Sequence, residues 1–456
     1  DAKNNHPNSP SQATARTMNR RLGLLLTLAT AAVLAQQQIL LRRPPRLVQI
    51  RPQHLHSGSA GLDLNFSRPM QLKTVESQSH LKPALRHHWL GSHAALRLIL
   101  TPTTAINGPV QLHLAGRDQR MNALTAQTWW WDPRPWLLVT RDLKNGQQLQ
   151  LLDRQGTWRP VSPIWTKLSA VVPLGNGRGV AVVASDDNQN EQIWLQPLQP
   201  RSLQHDRRDL APPKRLPVQQ LISDNVLFGH ISSNLNGDLL VQTGGFLPET
   251  ERNELIQANG KRRQLDLPSA GPMELLPGGG GLVVPSYDGI NLMPLANKGG
   301  TMQSLPGNRE LGAFCAASGR ALLIRHWPDY RRSIELVLPG VAPRQLWLGE
   351  QAVLGVACDG KGERIWAVIG QWTGDWAEHT LLLLDGEGRV AKRQSLGPWR
   401  MKGGTPLQFD PVSGRLLFTV IREQQREAHP ALVDAVSLQL QEVLPIAVEQ
   451  ALWLNP

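Results

Sequence analysis

A recurring unit constrains this chain more than any other feature of its sequence. From about residue 126 to 456, an apolar strand, a polar turn and two further apolar strands follow one another again and again. The clearest copies begin at Trp136, Gly179, Asp238, Gly281, Arg320, Arg364 and Arg415. Several are preceded by a glycine turn: Gly175-Asn176-Gly177, Asn236-Gly237, Gly278 to Gly280, Ser318-Gly319, Gly360-Lys361-Gly362 and Ser413-Gly414. Polar tips come after several starts, at Asp142 to Gln147, Asp186 to Gln192, Pro248 to Asn253 and Tyr287-Asp288-Gly289. The starts lie roughly forty to sixty residues apart, near the period of propeller blades. No helical periodicity intervenes. Strand-rich units that bury their faces only against their neighbours argue for radial repetition. The expectation is an all-β chain ending in a β-propeller of about seven blades, with six as the alternative count. Ala451-Leu452-Trp453-Leu454 is placed to pair into the first blade as a latch, and the Pro-rich, charged stretch 196–218 reads as a surface excursion.

The chain has 456 residues, 41% of them hydrophobic, enough for two or three packed domains. Forty Gly and 35 Pro imply many turns between short elements. Fifteen Trp stand against two Tyr and six Phe, a balance that fits large buried area on β surfaces.

The first residues read as a targeting segment. Residues 1–17 are polar and are expected to be a disordered extension, with Met18 as the start. Asn19-Arg20-Arg21 forms a positive n-region ahead of the apolar run Leu22 to Ala35, and Val33-Leu34-Ala35 before Gln36 fits a small-residue cleavage site. Two readings stand side by side over 18–41. One is a cleaved signal peptide. The other is a signal anchor in the inner membrane through residues 22–41, provided that Gln36, Gln37 and Gln38 are tolerated. Both place the remainder outside the cytoplasm, in the periplasm or a comparable extracytoplasmic space.

Arg42-Arg43-Pro44-Pro45-Arg46 is a stiff linker. Beyond it, Leu62-Asp63-Leu64-Asn65-Phe66-Ser67 alternates apolar and polar with period two. His88-Trp89-Leu90, Ala95 to Leu100 and Val110 to Leu114 continue the pattern, so a small β-sandwich is expected over 45–125. Phe66-Ser67-Arg68-Pro69-Met70, then Val75, Pro83, Trp89, the Leu96–Leu100 strand and the closing Val110–Leu114 strand resemble the bacterial SbsA-type Ig-like domain. The resemblance implies a spacer or adhesive module of cell-surface proteins and brings no catalytic residues. The units over 126–456 resemble TolB- and WD40-like propeller repeats in architecture, without a GH…WD signature.

The residue chemistry narrows the function classes. Net charge is +12, but the densest basic groups, Arg207-Arg208, Lys261-Arg262-Arg263 and Arg331-Arg332, form no run or stripe. No nucleic-acid partner is expected from them. Cys315 and Cys358, the two cysteines, sit at nearly the same place in consecutive repeats. They are either a disulfide between adjacent blades or two reduced core thiols. Asp186-Asp187-Asn188 with Glu191 lacks the spacing of a Ca²⁺ loop, and His87-His88 with His93 lacks a Cys or carboxylate partner, so no metal and no cofactor are expected. Gly278 to Gly281 is a turn rather than a phosphate loop, and no Gly-x-Ser-x-Gly elbow is present. The expectation is a membrane-tethered or exported binding or scaffold protein that recognises a protein or glycan partner through the propeller face. Its rival is a propeller-based enzyme acting on an extracellular polymer, although the sequence designates no catalytic residue.

Overall fold

The computed structural model describes residues 11–54, 60–101, 105–186, 190–200, 203, 211–245, 247, 250–295, 302–338, 340–374 and 376–456. The chain begins with a helix, Ser11–Arg42. It takes in residues 11–17, which the sequence assigns to a disordered extension. Once an apolar nucleus has formed, helix propagates cheaply through good formers such as Ala and Arg. The helix ends on the following domain: the carbonyl of Leu41 accepts from Arg68 at 3.0 Å and from Asn122 at 3.2 Å, which satisfies one of its orphan acceptors. Leu24, Leu25, Leu26, Leu28, Val33 and Leu34 are exposed. Among the described residues no helix is long and apolar enough to cross a membrane. The anchor over residues 22–41 is therefore not supported, because the three glutamines interrupt its apolar run.

Seven strands then form two facing sheets. Leu47–His54, Ala60–Phe66, Ala95–Leu100 and His87–Ser92 lie side by side in that order, and His80–Lys82, Val110–Leu114 and Gln127–Trp131 form the second sheet. Alternation decides which side chains meet between them: Leu62, Leu64 and Phe66, side by side with Leu96, Leu98 and Leu100 in the first sheet, pack with Val110, Leu112 and Leu114 from the other. The domain ends later than the expected residue 125. Leu112 pairs with Trp129, and Trp131 is buried in this core. Three consecutive indoles hide the period-two pattern that would have marked Gln127–Trp131 as a strand of the sandwich.

The remainder is a β-propeller of seven antiparallel sheets, here blades 1 to 7. Each of the repeat starts read from the sequence lies in the second strand of its blade, not the first, except Asp238, which immediately precedes it. Those second strands, such as Gly179–Ser185, are buried on both faces between neighbouring blades and read as unbroken apolar runs. The innermost strands keep one face half-exposed, so their signal is weaker. In blades 2 to 6 they are Lys167–Pro173, Phe228–Ser233, Glu274–Leu275, Arg309–Cys315 and Ala352–Cys358, followed in blade 7 by Trp399–Met401 with Gln408–Asp410. Blade 1 takes its innermost strand, Gln450–Leu454, from the far end of the chain, where Leu452 pairs with Leu138.

Because the strands of each blade alternate in direction, the turns after first and third strands lie at one end of the propeller and those after second and fourth at the other. At the first end the turns interlock from blade to blade. Asn455 donates to the carbonyl of Gly175 at 2.7 Å, Asn176 to that of Asn236 at 3.1 Å, and the amide of Leu235 to the carbonyl of Pro277 at 3.0 Å. The sandwich docks at this same end. Val412, in the turn of blade 7, and Leu203, in the connection after the third strand of blade 2, both belong to the sandwich core. The amide of Ile106 donates to the carbonyl of Val412 at 2.8 Å.

Candidate functional site

Buried charge concentrates where the two domains meet. Asp132 accepts from Arg134 at 2.7 Å and faces Arg154 at 3.0 Å. Arg134 also donates to the carbonyl of Asn107 in the sandwich. Arg154 donates to the carbonyls of Arg134 and Pro135, and its guanidinium lies 4.0 Å over the ring of Trp136. Burial pulls the Arg154 pKa down to about 10, with Asp132 opposing the shift. Asp410, at the neighbouring turn, is pushed upward by burial and held by Ser413 and the amide of Val412. Each of these groups has its partner within the junction, so the cluster joins the domains structurally.

The opposite end is built differently. Its turns carry the largest exposed aromatic side chains of the described residues. Tyr287 and Tyr330 sit between the second and third strands of blades 4 and 5, Trp372 lies near the end of the second strand of blade 6, and they are 99%, 85% and 73% exposed. Tyr287 occupies a two-residue hairpin in which Ser286 pairs with Gly289. Tyr330 adopts the left-handed region, with φ of 66°, which is costly for a bulky residue. Its turn is fastened by the amide of Trp327 donating to the carbonyl of Arg331 and by that of Tyr330 donating to the carbonyl of Trp327, both at 3.0 Å. Trp372 pairs with Ala377 near the tip of its hairpin.

Beside Tyr287 a hollow of about 570 Å³ runs between the turns of residues 285–289 and 306–309. A second hollow of about 420 Å³ continues past Pro306 and Arg309 toward residues 340–343. A polar network lies beneath them. Arg309 donates from Nε to the buried Glu335 carboxylate at 2.7 Å, and Arg325 approaches the same carboxylate at 3.6 Å. The Arg325 guanidinium lies 3.7 Å from the ring centre of Trp327, whose Nε1 donates to Ser333 at 2.9 Å.

Nearer the axis the polar groups are paired. His230 Nε2 lies 3.1 Å from the Met273 carbonyl and 3.2 Å from Glu274, and Lys402 lies 2.5 Å from Glu449. Among the described residues there is no group of three or more His, Cys, Asp or Glu side chains placed to hold a metal. His87 bonds the carbonyl of Leu85 and His93 the hydroxyl of Ser92. The acidic turn after Asp186 lies partly outside the described residues. Cys315 and Cys358 end the innermost strands of blades 5 and 6, with Cα atoms 5.6 Å apart and their sulfurs joined. Of the exposed aromatics, Tyr287 lies in a tip visible in the sequence, while Tyr330 and Trp372 were not singled out. The weak signal for them is a bulky residue next to turn formers, as in Pro328-Asp329-Tyr330 and Trp372-Thr373-Gly374.

No protein-family model and no curated protein matches the sequence. Solved structures do. An oligogalacturonate lyase from Vibrio parahaemolyticus aligns at 12% identity over 67% of this chain and 88% of its own, with a TM-score of 0.48. TolB from Acinetobacter baumannii aligns at 12% identity over 64% and 77%, with a TM-score of 0.38. The β-propeller domain of the Trilobed protease from Pyrococcus furiosus aligns at 10% identity over 72% and 90%, with a TM-score of 0.41. These are likenesses of strand-rich architecture only. The propeller assignment rests on the strand pairing described above.

Proposed function

We propose that this chain is an exported binding or scaffold protein whose propeller recognises a protein or glycan partner through the face turned away from the sandwich. The observation that carries the reading is the placement of Tyr287, Tyr330 and Trp372 on three consecutive blades at that face. Exposed aromatics cost solvation and are concentrated at recognition surfaces. The opposite face is occupied by interlocked turns and the docked sandwich.

We read the sandwich as an immunoglobulin-like spacer. Its strand order, first-second-fifth-fourth in one sheet and third-sixth-seventh in the other, is the order of the constant-type Ig fold. Residues 18–41 are read as an export segment, residues 47–131 as the spacer and residues 136–456 as the binding propeller. The joined cysteines fit an oxidising compartment such as the periplasm.

The test is retention by isolated cell envelopes, measured by co-sedimentation of the chain with and without the three substitutions Tyr287→Ala, Tyr330→Ala and Trp372→Ala. A matched variant at Val436, exposed at the other end of the propeller, is the control. Loss of retention in the triple variant alone is expected. Equal retention of the triple variant and the wild type refutes the reading.

A further inference from the structure

We propose that the groove between blades 4 and 5 takes a carboxylate-bearing sugar unit of an acidic glycan, a proposal that rests on the face assigned above. Arg309 is the centre of the argument. Its side chain is 7% exposed, and Nε is committed to Glu335. Among the described residues Nη1, a buried atom, has no hydrogen-bond partner. An orphaned guanidinium nitrogen is costly unless an acceptor meets it, and Arg309 borders both hollows of the groove.

The local charge favours an anion. Two guanidiniums, Arg309 and Arg325, share the single buried carboxylate of Glu335, which leaves a positive excess beneath the groove. Gly307 stands over the two guanidiniums with no side chain of its own. Its φ is 96°, and a Cβ there would stand 3.0 Å from Arg309 Nη1 and 3.4 Å from Arg325 Nη2. The glycine is thus required both by its backbone conformation and by the space in front of the two cations.

The remaining walls distinguish a sugar acid from a bare anion. Asp288 is an exposed carboxylate in the lining. It accepts readily from hydroxyl groups. Asn308 adds a donor and an acceptor on the opposite wall. Tyr287, wholly exposed at the rim, offers a flat face to a pyranose ring. A uronic acid carries the carboxylate, the hydroxyls and the apolar ring face together. In the hollow beside Tyr287 the apolar side chains are limited to Pro285, Pro306 and the Tyr287 ring, which leaves no deep apolar slot for a peptide anchor there.

Calorimetric titration of the full chain with trigalacturonic acid, with neutral galactotriose and with inorganic phosphate tests this. Binding of the acid is expected to be at least about tenfold tighter than binding of the neutral trimer or phosphate. It should weaken by at least about tenfold in Tyr287→Ala and in the paired variant Arg309→Gln/Glu335→Gln, which avoids stranding a buried carboxylate. Val436→Ala, at the other end of the propeller, should leave it unchanged. Equal binding of the acidic and neutral trimers, preference for phosphate, indifference to both variants, or no binding of the acid each overturns the proposal. The face assignment stands or falls separately on envelope retention, so a chain that is retained there but ignores trigalacturonic acid refutes only the sugar-acid site.

Discussion

Reduction of the Cys315–Cys358 bond is a quantitative test of how the propeller is held together. The bond spans 43 residues and ties the ends of the innermost strands of blades 5 and 6. In the chain-entropy account, a crosslink closing a loop of that length removes about 13 cal/mol/K from the unfolded ensemble, or about 4 kcal/mol at 25 °C. Unfolding of the roughly 320 residues of the propeller carries about 0.7 kcal/mol/K of entropy. The bond is therefore worth about 6 °C in melting temperature. Native contacts change little on cleavage, because the two turns are also joined by the amide of Ala317 donating to the carbonyl of Gly360 at 2.8 Å. The measurement is differential scanning calorimetry of the wild type with and without reductant, alongside the Cys315→Ala/Cys358→Ala variant. The double variant should melt at or slightly below the reduced wild type, since Cys315 is fully buried and alanine leaves a small cavity. A shift under about 2 °C, or two free thiols titrated in the native protein without reductant, would refute the reasoning.

Two further predictions concern the contacts between blades. His379 of blade 6 accepts at Nδ1 from the amide of Met401 in blade 7 at 2.9 Å, and burial, aided by the nearby Arg400 charge, lowers its pKa below 6.5. The unfolded chain then binds a proton that the folded chain resists. Stability should fall as pH drops below about 6.5, by up to about 1.4 kcal/mol per unit, and His379→Gln should remove that slope in denaturant titrations. Leu454 of the latch strand is fully buried in the core shared by blades 1 and 2, so Leu454→Ala should cost about 2–5 kcal/mol by the same titrations, and a cost below about 1 kcal/mol would show that the latch contributes little.

The parts of this fold legible in the sequence are those where burial is one-sided or complete. Leu62 to Phe66 alternates because one face meets the core, and Gly179–Ser185 runs apolar because both faces do. Both could be placed without coordinates. The innermost strands could not, because exposed polar positions such as Lys167, Ser169 and Glu310 interrupt them. The end of the sandwich was missed for a related reason, since the Trp129 and Trp130 indoles are only half-buried and give no alternation. The near-equivalence of Cys315 and Cys358 in consecutive repeats was visible, but their pairing depends on the blade register, which only the three-dimensional strand alignment supplies.

The candidate site is the least legible part because its chemistry arises between repeats rather than within one. Tyr287 belongs to blade 4 and Arg309 to blade 5, and nothing in their spacing predicts a shared groove. Their meeting depends on the turn of residues 306–308, where the amide of Gly307 donates to the carbonyl of Asp288 and the carbonyl of Asn308 accepts from the amide of His326. Blade packing therefore sets the groove's shape, while the buried Glu335 carboxylate fixes the two arginines beneath it. A substitution that shifts blade 4 against blade 5 should disturb recognition without touching a contact residue. By the same logic, the sandwich leaves the site to the blades alone: it docks through Val412 and Leu203 at the opposite end of the propeller, so it contributes no wall to the groove.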